Sequence, residues 1–232
     1  MDEHLAIIPA RSGSKGLEDK NIKLLSGKPL LQYSVEAAIN SNIFDCIHVS
    51  TDSEKYAEIA RGCGADVPFL RCHEFSSDIA DSWSVVRFVL EQYKQIGKVF
   101  DMVTLLQPTS PMRDAGDIRA AYHLFGEKKA EVVISVSEAE HSPLLMNTLD
   151  ESLSLDGFIN LKEVGRRQNM PQYYQINGAI YMMKTYILDR IFDLYGEKSY
   201  AYIMPRKKSI DIDSIIDFKM AEIFLKENAT AE

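Results

Sequence analysis

The sequence predicts an α/β fold built on a mostly parallel sheet with helices on both faces. Short apolar runs of strand length alternate with segments that carry apolar residues at helical spacing. The first apolar run, residues 5–8, ends at a proline and opens into a loop with two glycines and three cations. Polar residues gather directly after this run and after later ones, as they do at the carboxyl ends of parallel strands.

Length and composition suit one domain. The 232 residues are 46% hydrophobic and 26% charged, which is ordinary for a soluble globular protein, so we treat 1–232 as a single domain. The net charge of −8 argues against a general partner role with nucleic acid or membranes. No apolar run approaches 18 residues and residues 1–4 lack a basic signal segment, so we expect a cytoplasmic protein.

The predicted elements alternate along the chain. After the first strand and its loop, residues 29–41 carry apolar side chains at helical spacing. Up to residue 136 we expect further strands at 46–52, 67–70, 102–106 and 132–136, and helices at 53–63, 84–95 and 115–125. Towards the end we expect strands at 176–182 and 200–204, and helices at 185–192 and 214–226.

Four loops are predicted to meet at one edge of the sheet. Arg11 follows the first strand, Asp52 the second and Arg71 the third, while Gln107 and Thr109 follow the fourth. In open parallel sheets ligands bind outside the carboxyl ends of the strands. A ligand site is therefore expected where these loops converge.

The first loop has the composition of a phosphate-binding loop. Glycines let the backbone approach an anion, and Arg11, Lys15 and Lys20 can offset its charge. The spacing matches neither G-x-x-x-x-G-K-[ST] nor G-x-G-x-x-G. A solvated turn that happens to be basic is the alternative.

The α/β alternation lapses from about residue 138 to 175. This stretch is too long for a plain loop in a compact domain. We expect a functional excursion or an oligomerisation arm.

Two short motifs near the end of the chain each allow two interpretations. Asp211 and Asp213 alternate with isoleucines, so both carboxylates face one side if the segment is extended, where a Mg²⁺ ion could bridge them to phosphates. Alternatively, Asp213 caps the last helix. Asn177 and Gly178 form either a turn or bulge, or a ligand contact in which the glycine gives clearance.

Five motifs together resemble one family, the acylneuraminate cytidylyltransferases, or CMP-sialic acid synthetases. They occur in the family order over nearly the whole chain. The motifs are I-P-A-R-S-G-S-K-G-L-x-x-K-N at 8–21, S-T-D at 50–52, L-L-Q-P-T-S-P-M-R at 105–113, N-G-A-I-Y at 177–181 and S-I-D-I-D at 209–213.

The resemblance implies a Rossmann-like domain whose excursion packs against a second subunit in a homodimer. It implies that CTP is joined to a nine-carbon 2-keto sugar acid, N-acetylneuraminic acid, with release of pyrophosphate and a requirement for Mg²⁺. In the mechanism so implied, the sugar's anomeric hydroxyl attacks the α-phosphate in line. Asp211 is a hypothesis for the group that takes its proton.

The resemblance also assigns residues to each role. The catalytic residues would be Arg11, Lys15, Lys20 and Asp211, of which the three cations hold the triphosphate. The nucleotide-binding residues would be Arg11, on the triphosphate, and, around the cytosine and ribose, Pro9, Ala10, Asn21, Arg71, Ala80 and Ser82. The metal ligands would be Asp211 and Asp213. The sugar-acid pocket would take Gln107, Thr109, Gln175 and Asn177, with Arg167 supplied by the excursion of a partner subunit.

One departure leaves the sugar acid open. Several sialic acid enzymes of the family have an arginine two positions before the Asn of N-G-A-I-Y, where this chain has Gln175. Legionaminic acid or another bacterial nonulosonic acid is therefore the closest alternative substrate. More distant alternatives are a sugar-1-phosphate nucleotidylyltransferase, a CMP-Kdo synthetase and a nucleotide-binding module without turnover.

Overall fold

The computed structural model of the chain describes residues 3–13, 16–72, 75, 82–160 and 171–230. The described strands are β1 (His4–Pro9), β2 (Leu24–Leu25), β3 (Lys28–Pro29), β4 (Cys46–Ser50), β5 (Met102–Leu105), β6 (Val132–Glu138), β7 (Tyr174–Lys184) and β8 (Ser199–Ile203). The described α-helices are α1 (Leu30–Ser41), α2 (Glu54–Gly62), α3 (Ser82–Gln95), α4 (Ala115–Glu127) and α5 (Ile215–Thr230). Short 3₁₀ helices include Lys20–Ile22, Pro143–Leu145 and Thr185–Tyr195.

The main sheet has the strand order β4-β1-β5-β7-β6-β8. β1 pairs in parallel with β4 and β5, and β6 pairs in parallel with β8. β7 runs antiparallel between β5 and β6. Every strand of this sheet except β7 therefore points the same way, which confirms the prediction of a mostly parallel sheet.

Helices cover both faces of the sheet, as predicted. Side chains alternate along β1, so that Ala6 and Ile8 pack against α1, α2 and α4, while Leu5 and Ile7 pack against α3 and the 3₁₀ helix Thr185–Tyr195. All four β1 side chains are fully buried, and burial of one Ile or Leu contributes roughly 1.5–3 kcal/mol. The two cores hold β1 and β5 in the middle of the molecule, with their carboxyl ends at one edge.

The prediction of a strand at residues 67–70 was wrong. Only Asp66 pairs with the sheet, through an isolated bridge to His48. Pro68 explains the interruption, because proline has no N–H to donate to a ladder. Arg71 nevertheless reaches the expected edge, because its backbone N–H donates to Thr51 O at 2.7 Å, just after β4.

The predicted excursion leaves the sheet at the end of β6 and returns at the start of β7, where Glu138 pairs with Tyr174. Residues 139–160 form turns and the 3₁₀ helix Pro143–Leu145. Large apolar side chains are exposed along it, namely Leu145, Met146, Leu149, Leu153 and Leu155. Its role in dimerisation stays a prediction.

None of the described helices is both long and apolar enough to cross a bilayer.

Candidate functional site

A cavity of about 540 Å³ opens at the carboxyl ends of β1 and β5. Its walls come from stretches that are far apart in the sequence. The lining residues are Pro9, Arg11, Gly16, Lys20, Asn21, Arg71, Ser82, Val85, Gln107, Pro108, Thr109, Asp211 and Asp213. The cavity thus brings together most of the residues that the sequence analysis assigned to a site.

The loop after β1 is held in place by hydrogen bonds to its backbone. Ser12 donates twice to the Asp52 carboxylate, from its N–H at 2.8 Å and from its hydroxyl at 3.0 Å. The Asn21 amide donates to Arg11 O at 3.0 Å. Gly13 has a φ of +71°, a left-handed conformation that favours glycine. These contacts fix the backbone around Arg11 at the cavity wall.

Arg71 is a buried cation that braces the end of β4. Its guanidinium donates to the hydroxyl and the carbonyl of Ser50, at 3.2 and 2.5 Å, and to Phe75 O at 3.1 Å. Burial lowers the pKa of Arg71 to about 10, the Asp52 carboxylate acts in the opposite direction, and the Arg11 charge adds to the lowering. Arg71 therefore stays charged at neutral pH and gives this wall of the cavity a positive potential.

Lys20 connects the first loop to the end of the chain. It starts the 3₁₀ helix Lys20–Ile22, and its ammonium donates to Ile212 O at 2.7 Å and to the Asp213 carboxylate at 3.2 Å. The Lys20 side chain is only 14% exposed, whereas that of Asp213 is 80% exposed. A positive charge is therefore fixed beside the two aspartates.

Asp211 and Asp213 both face the cavity. Burial raises the pKa of the Asp211 carboxyl above its usual range, and the neighbouring Asp213 charge adds to the rise, while a Thr109 hydrogen bond and Lys20 oppose it. Two carboxylates that repel each other in this way suit a divalent cation, and Mg²⁺ sites on nucleotides commonly use one or two carboxylates plus phosphates. The oxygen ligands present therefore fit Mg²⁺.

The alternative role of Asp213 as a helix cap is taken by other residues. The Ser214 N–H donates to the Asp217 carboxylate at 2.7 Å, and the Asp217 N–H donates back to the Ser214 hydroxyl at 3.4 Å. This reciprocal pair satisfies donors at the start of α5. The Asp213 carboxylate instead accepts a hydrogen bond from Lys20.

A glycine permits the close approach of the first loop to the aspartates. A Cβ added at Gly16 would lie 2.9 Å from the Asp213 carbonyl oxygen, closer than side chains pack. Any larger residue at this position would force the loop and the Asp211–Asp213 segment apart.

Some predicted site residues lie away from the cavity. Ala10 is fully buried beneath it, and Gln175 is exposed on β7 opposite Ser137. Asn177 is buried, accepts from the Ser135 hydroxyl at 2.6 Å and donates to the Ser209 hydroxyl at 2.9 Å. Lys15, Ala80 and Arg167 lie outside the described residues.

The sequence analysis did not assign a role to Asp52, although it placed this residue at the correct edge. Its position after β4 and within S-T-D was the available signal. The structure shows that Asp52 acts on the loop backbone through Ser12, a contact that no spacing in the sequence reveals.

Residues 5–229 match the model of the cytidylyltransferase family. The chain belongs to the cytidylyltransferase family. It is 38% identical over 218 residues to the N-acylneuraminate cytidylyltransferase of Escherichia coli O18:K1:H7. The aligned stretch covers 94% of this chain and 51% of that protein. The chain thus spans about half the length of this relative.

Other relatives align over nearly their whole length. The CMP-N,N'-diacetyllegionaminic acid synthase of Legionella pneumophila is 35% identical over 98% of both chains, and the pseudaminic acid cytidylyltransferase of Campylobacter jejuni is 33% identical over 97% of both. A structure of CMP:2-keto-3-deoxy-manno-octonic acid synthetase complexed with CTP has a TM-score of 0.72 at 14% identity, covering 97% of this chain and 99% of that one. This last likeness concerns the fold.

Proposed function

We propose that the protein transfers a cytidylyl group from CTP to a nine-carbon 2-keto sugar acid, N-acetylneuraminic acid, with release of pyrophosphate. One observation carries the proposal: a single cavity joins the cations Arg11 and Lys20 to the carboxylates Asp211 and Asp213. Nucleotidyl transfer depends mainly on positioning and on neutralising phosphate charge. This arrangement supplies both charge types in one place.

In the proposed reaction the anomeric hydroxyl of the sugar acid attacks the α-phosphate of CTP in line. Arg11 and Lys20, together with Lys15, offset the charge of the triphosphate and of the departing pyrophosphate. Asp211 is the proposed acceptor of the hydroxyl proton, because its carboxylate lines the cavity and is hydrogen-bonded to Thr109 on the proposed sugar side.

Asp211 and Asp213 are also the proposed ligands of Mg²⁺. A Mg²⁺ ion bound there would neutralise charge that develops on the phosphate oxygens. The Lys20 ammonium donates to the Asp213 carboxylate at 3.2 Å. This contact keeps the carboxylate oriented towards the cavity.

The proposed nucleotide and sugar sides lie on different walls. Pro9, Ala10, Asn21, Arg71, Ala80 and Ser82 are the proposed surroundings of cytosine and ribose. Gln107 and Thr109 line the cavity directly after β5, where the sugar acid is proposed to bind. Gln175 and Asn177 lie outside this lining, so their part in sugar binding stays a prediction.

The excursion is proposed to pack on a second copy of the chain in a homodimer, bringing Arg167 to the site of its neighbour. The exposed leucines of residues 139–160 support an interface there, since a monomer gains nothing from exposing them. Sedimentation velocity tests this part: a monomer at micromolar concentration would contradict it.

Di-N-acetyllegionaminic acid is the second candidate substrate. A relative of nearly equal coverage is named for that acid, and this chain has Gln175 where several sialic acid enzymes have an arginine. Both acids carry a carboxylate, so Gln175 can distinguish them only through hydrogen bonds to the substituents in which they differ.

The deciding experiment measures pyrophosphate release from CTP and Mg²⁺ with N-acetylneuraminic acid and di-N-acetyllegionaminic acid in parallel. We expect turnover with an acid and none without one, and a higher kcat/KM with N-acetylneuraminic acid. Preference for the other acid would move the substrate to the second candidate. Tight CTP binding with no pyrophosphate from any nonulosonic acid would instead indicate a binding module.

A matched pair of lysine variants ties turnover to the cavity. Lys20→Met removes the cation beside Asp213 and is expected to lower kcat by at least about 100-fold. Lys55→Met removes an exposed lysine that pairs with Asp19 outside the cavity lining, and it should leave kcat unchanged.

A further inference from the structure

We propose that Arg113 and Ser34 are positioning residues that hold the turn at residues 107–110, on the side of the turn that faces the protein interior and not the cavity. The inference rests on the proposed function for its kinetic consequence. It concerns the last residue of the L-L-Q-P-T-S-P-M-R motif, which no role described above accounts for. Both side chains are buried and lie outside the cavity lining.

The support consists of two consecutive hydrogen bonds. Arg113 is 1% exposed, and its Nη2 donates to the Ser34 hydroxyl at 2.6 Å. The Ser34 hydroxyl, itself fully buried on α1, donates to Gln107 O at 3.4 Å. The same carbonyl accepts from the Ser110 N–H at 3.3 Å, which closes the turn. The guanidinium therefore orients the hydroxyl that holds the turn.

The opposite side of the turn faces the cavity, where the ligand is proposed to bind. Gln107 and Thr109 line the cavity. Thr109 O accepts from the Ile212 N–H at 2.8 Å, and the Thr109 side chain hydrogen-bonds Asp211. A shift of the turn would therefore move the sugar-side wall and the carboxylate pair together.

The burial of Arg113 is not explained by a gain in folding free energy. Its Nε and Nη1 have no hydrogen-bond partner among the described residues, and burying such donors is costly. Asp114 and Asp117 lie near enough for their charges to act on it, but their carboxylates accept hydrogen bonds from Lys208, Tyr202 and backbone N–H groups. Buried charges are often replaceable by apolar residues without loss of stability, so the retained contact to Ser34 indicates a role in placing the turn.

The nucleotide side is held by separate contacts. Ser12 is bonded to Asp52, and Asn21 to Arg11. Loss of the Arg113–Ser34 support should therefore affect the sugar acid and leave CTP affinity measured without Mg²⁺ intact.

Ser34→Ala tests the proposal, with Ser41→Ala as its matched control. Ser41 is a second buried serine of α1, and its hydroxyl donates locally to Ala38 O at 2.7 Å. For Ser34→Ala we expect kcat/KM for the sugar acid to fall roughly 10- to 100-fold, as small misplacements of a site do. The CTP dissociation constant measured without Mg²⁺ should stay within about twofold, since no nucleotide-side contact is lost. Ser41→Ala should change neither quantity.

An activity-independent measurement separates failure of this inference from failure of the proposed function. Hydrogen exchange of the free protein should be faster at Ser110 and Ile212 in Ser34→Ala, and unchanged there in Ser41→Ala. This comparison is valid even if no sugar acid is turned over. Equal exchange and equal acid kinetics in the two variants would overturn the inference.

The Arg113 side of the support is tested by non-additivity. Arg113→Met should reproduce the loss seen with Ser34→Ala, and the double variant should lose no more than Arg113→Met alone, because both changes remove one connected support. Independent, additive losses would show that Arg113 does not act through Ser34.

Discussion

Asp52 contacts the first loop through two hydrogen bonds, both of them from Ser12. Both Asp52 oxygens accept from Ser12, whose neighbour Arg11 lines the cavity. Asp52→Ala should therefore loosen the loop and weaken CTP binding about tenfold, the equivalent of one lost hydrogen bond. Isothermal titration calorimetry with CTP measures the change.

The control for Asp52 is another aspartate that accepts from a backbone N–H. Asp45 accepts from the His4 N–H at 2.8 Å, at the amino end of β1. Asp45→Ala should lower stability and leave the CTP dissociation constant unchanged. An equal loss of affinity in both variants would mean that the Asp52 effect is only a loss of fold stability.

Asp211 and Asp217 lie close in sequence but have different partners. Asp211→Ala removes a cavity carboxylate, and we expect turnover to fall by at least about 100-fold while CTP binding stays measurable. Asp217→Ala removes the cap of α5 and should cost about 1 kcal/mol of unfolding free energy with little change in kcat. Calorimetry of CTP with and without Mg²⁺ adds a second readout: the Mg²⁺-dependent gain in affinity should vanish only in Asp211→Ala. An active Asp211→Ala enzyme would contradict both roles proposed for this residue.

At the scale of elements, an irregularity in β7 determines how this strand meets the site. Ile134 pairs with Tyr181 but Val136 with Ile176, so the residues between Ile176 and Tyr181 bulge from the ladder. The Ser135 hydroxyl fills the gap by donating to Asn177 Oδ1 at 2.6 Å and accepting from the Ile180 N–H at 2.8 Å. The bulge lets Asn177 reach Ser209, two residues before Asp211.

Gly178 lies at the tip of this bulge and packs under the cavity wall. Its φ is +76°, and a Cβ added there would lie 2.7 Å from Gln107 Oε1. Gly178→Ala should cost about 1 kcal/mol or more through backbone strain. It should also raise the KM for the sugar acid, because Gln107 must move, while CTP affinity stays the same.

Gly97→Ala is the matched control for Gly178→Ala. Gly97 has a similar φ of +83°, but no described atom lies within 4 Å of an added Cβ. It carries the strain without the contact to Gln107, so stability should fall and the KM for the acid should not change. A KM that rises equally in both variants would remove the role of the Gly178–Gln107 contact.

At the scale of the whole molecule, the sheet explains why the site could be predicted from the sequence. Parallel strands bring the loops after β1, β4 and β5 to one edge whatever the details of packing, so Arg11 and Gln107 were placed correctly. The alternation of Asp211 and Asp213 with isoleucines allowed a metal site, and the family motifs favoured it. In the structure Lys20 reaches this segment by donating to Ile212 O, 192 positions further along the chain, and to Asp213. The chain's own motifs thus located most of the described cavity.

Other features depend on contacts that spacing does not encode. Pro68 removes a predicted strand, yet Arg71 still arrives through one backbone hydrogen bond to Thr51. Asn177 has the surroundings of a structural residue because its amide bonds to Ser135 and Ser209, which only the folded strand order brings near. The burial of Arg113 beneath the site is likewise a property of tertiary packing.

Two buried histidines give the fold a predictable dependence on pH. Burial lowers the pKa of His4 and of His48 to about 4, against an unfolded value near 6.5. For His48 the Arg71 charge adds to the lowering and Asp66 opposes it, and for His4 the corresponding groups are Lys184 and Asp45. Between pH 6.5 and pH 4 the unfolded chain therefore binds protons that the folded chain does not, and stability must fall as the pH falls through this window.

His48→Phe removes one of these two contributions to the loss of unfolding free energy. Near pH 4 each buried imidazole should lower the unfolding free energy by roughly 3 kcal/mol. The ring of His48 packs 4.9 Å from that of Phe69 and 5.4 Å from that of Tyr93, so a phenyl group keeps the aromatic packing. It loses the titration and the hydrogen bonds to Tyr93 and to the Asp66 backbone. Urea unfolding at pH 7, 6, 5 and 4.5 should show a shallower loss of free energy in His48→Phe than in the parent. His123→Gln, a change at an exposed histidine on α4, should keep the parental slope. Identical slopes in all three proteins would contradict a contribution of the buried imidazole of His48 to the acid instability.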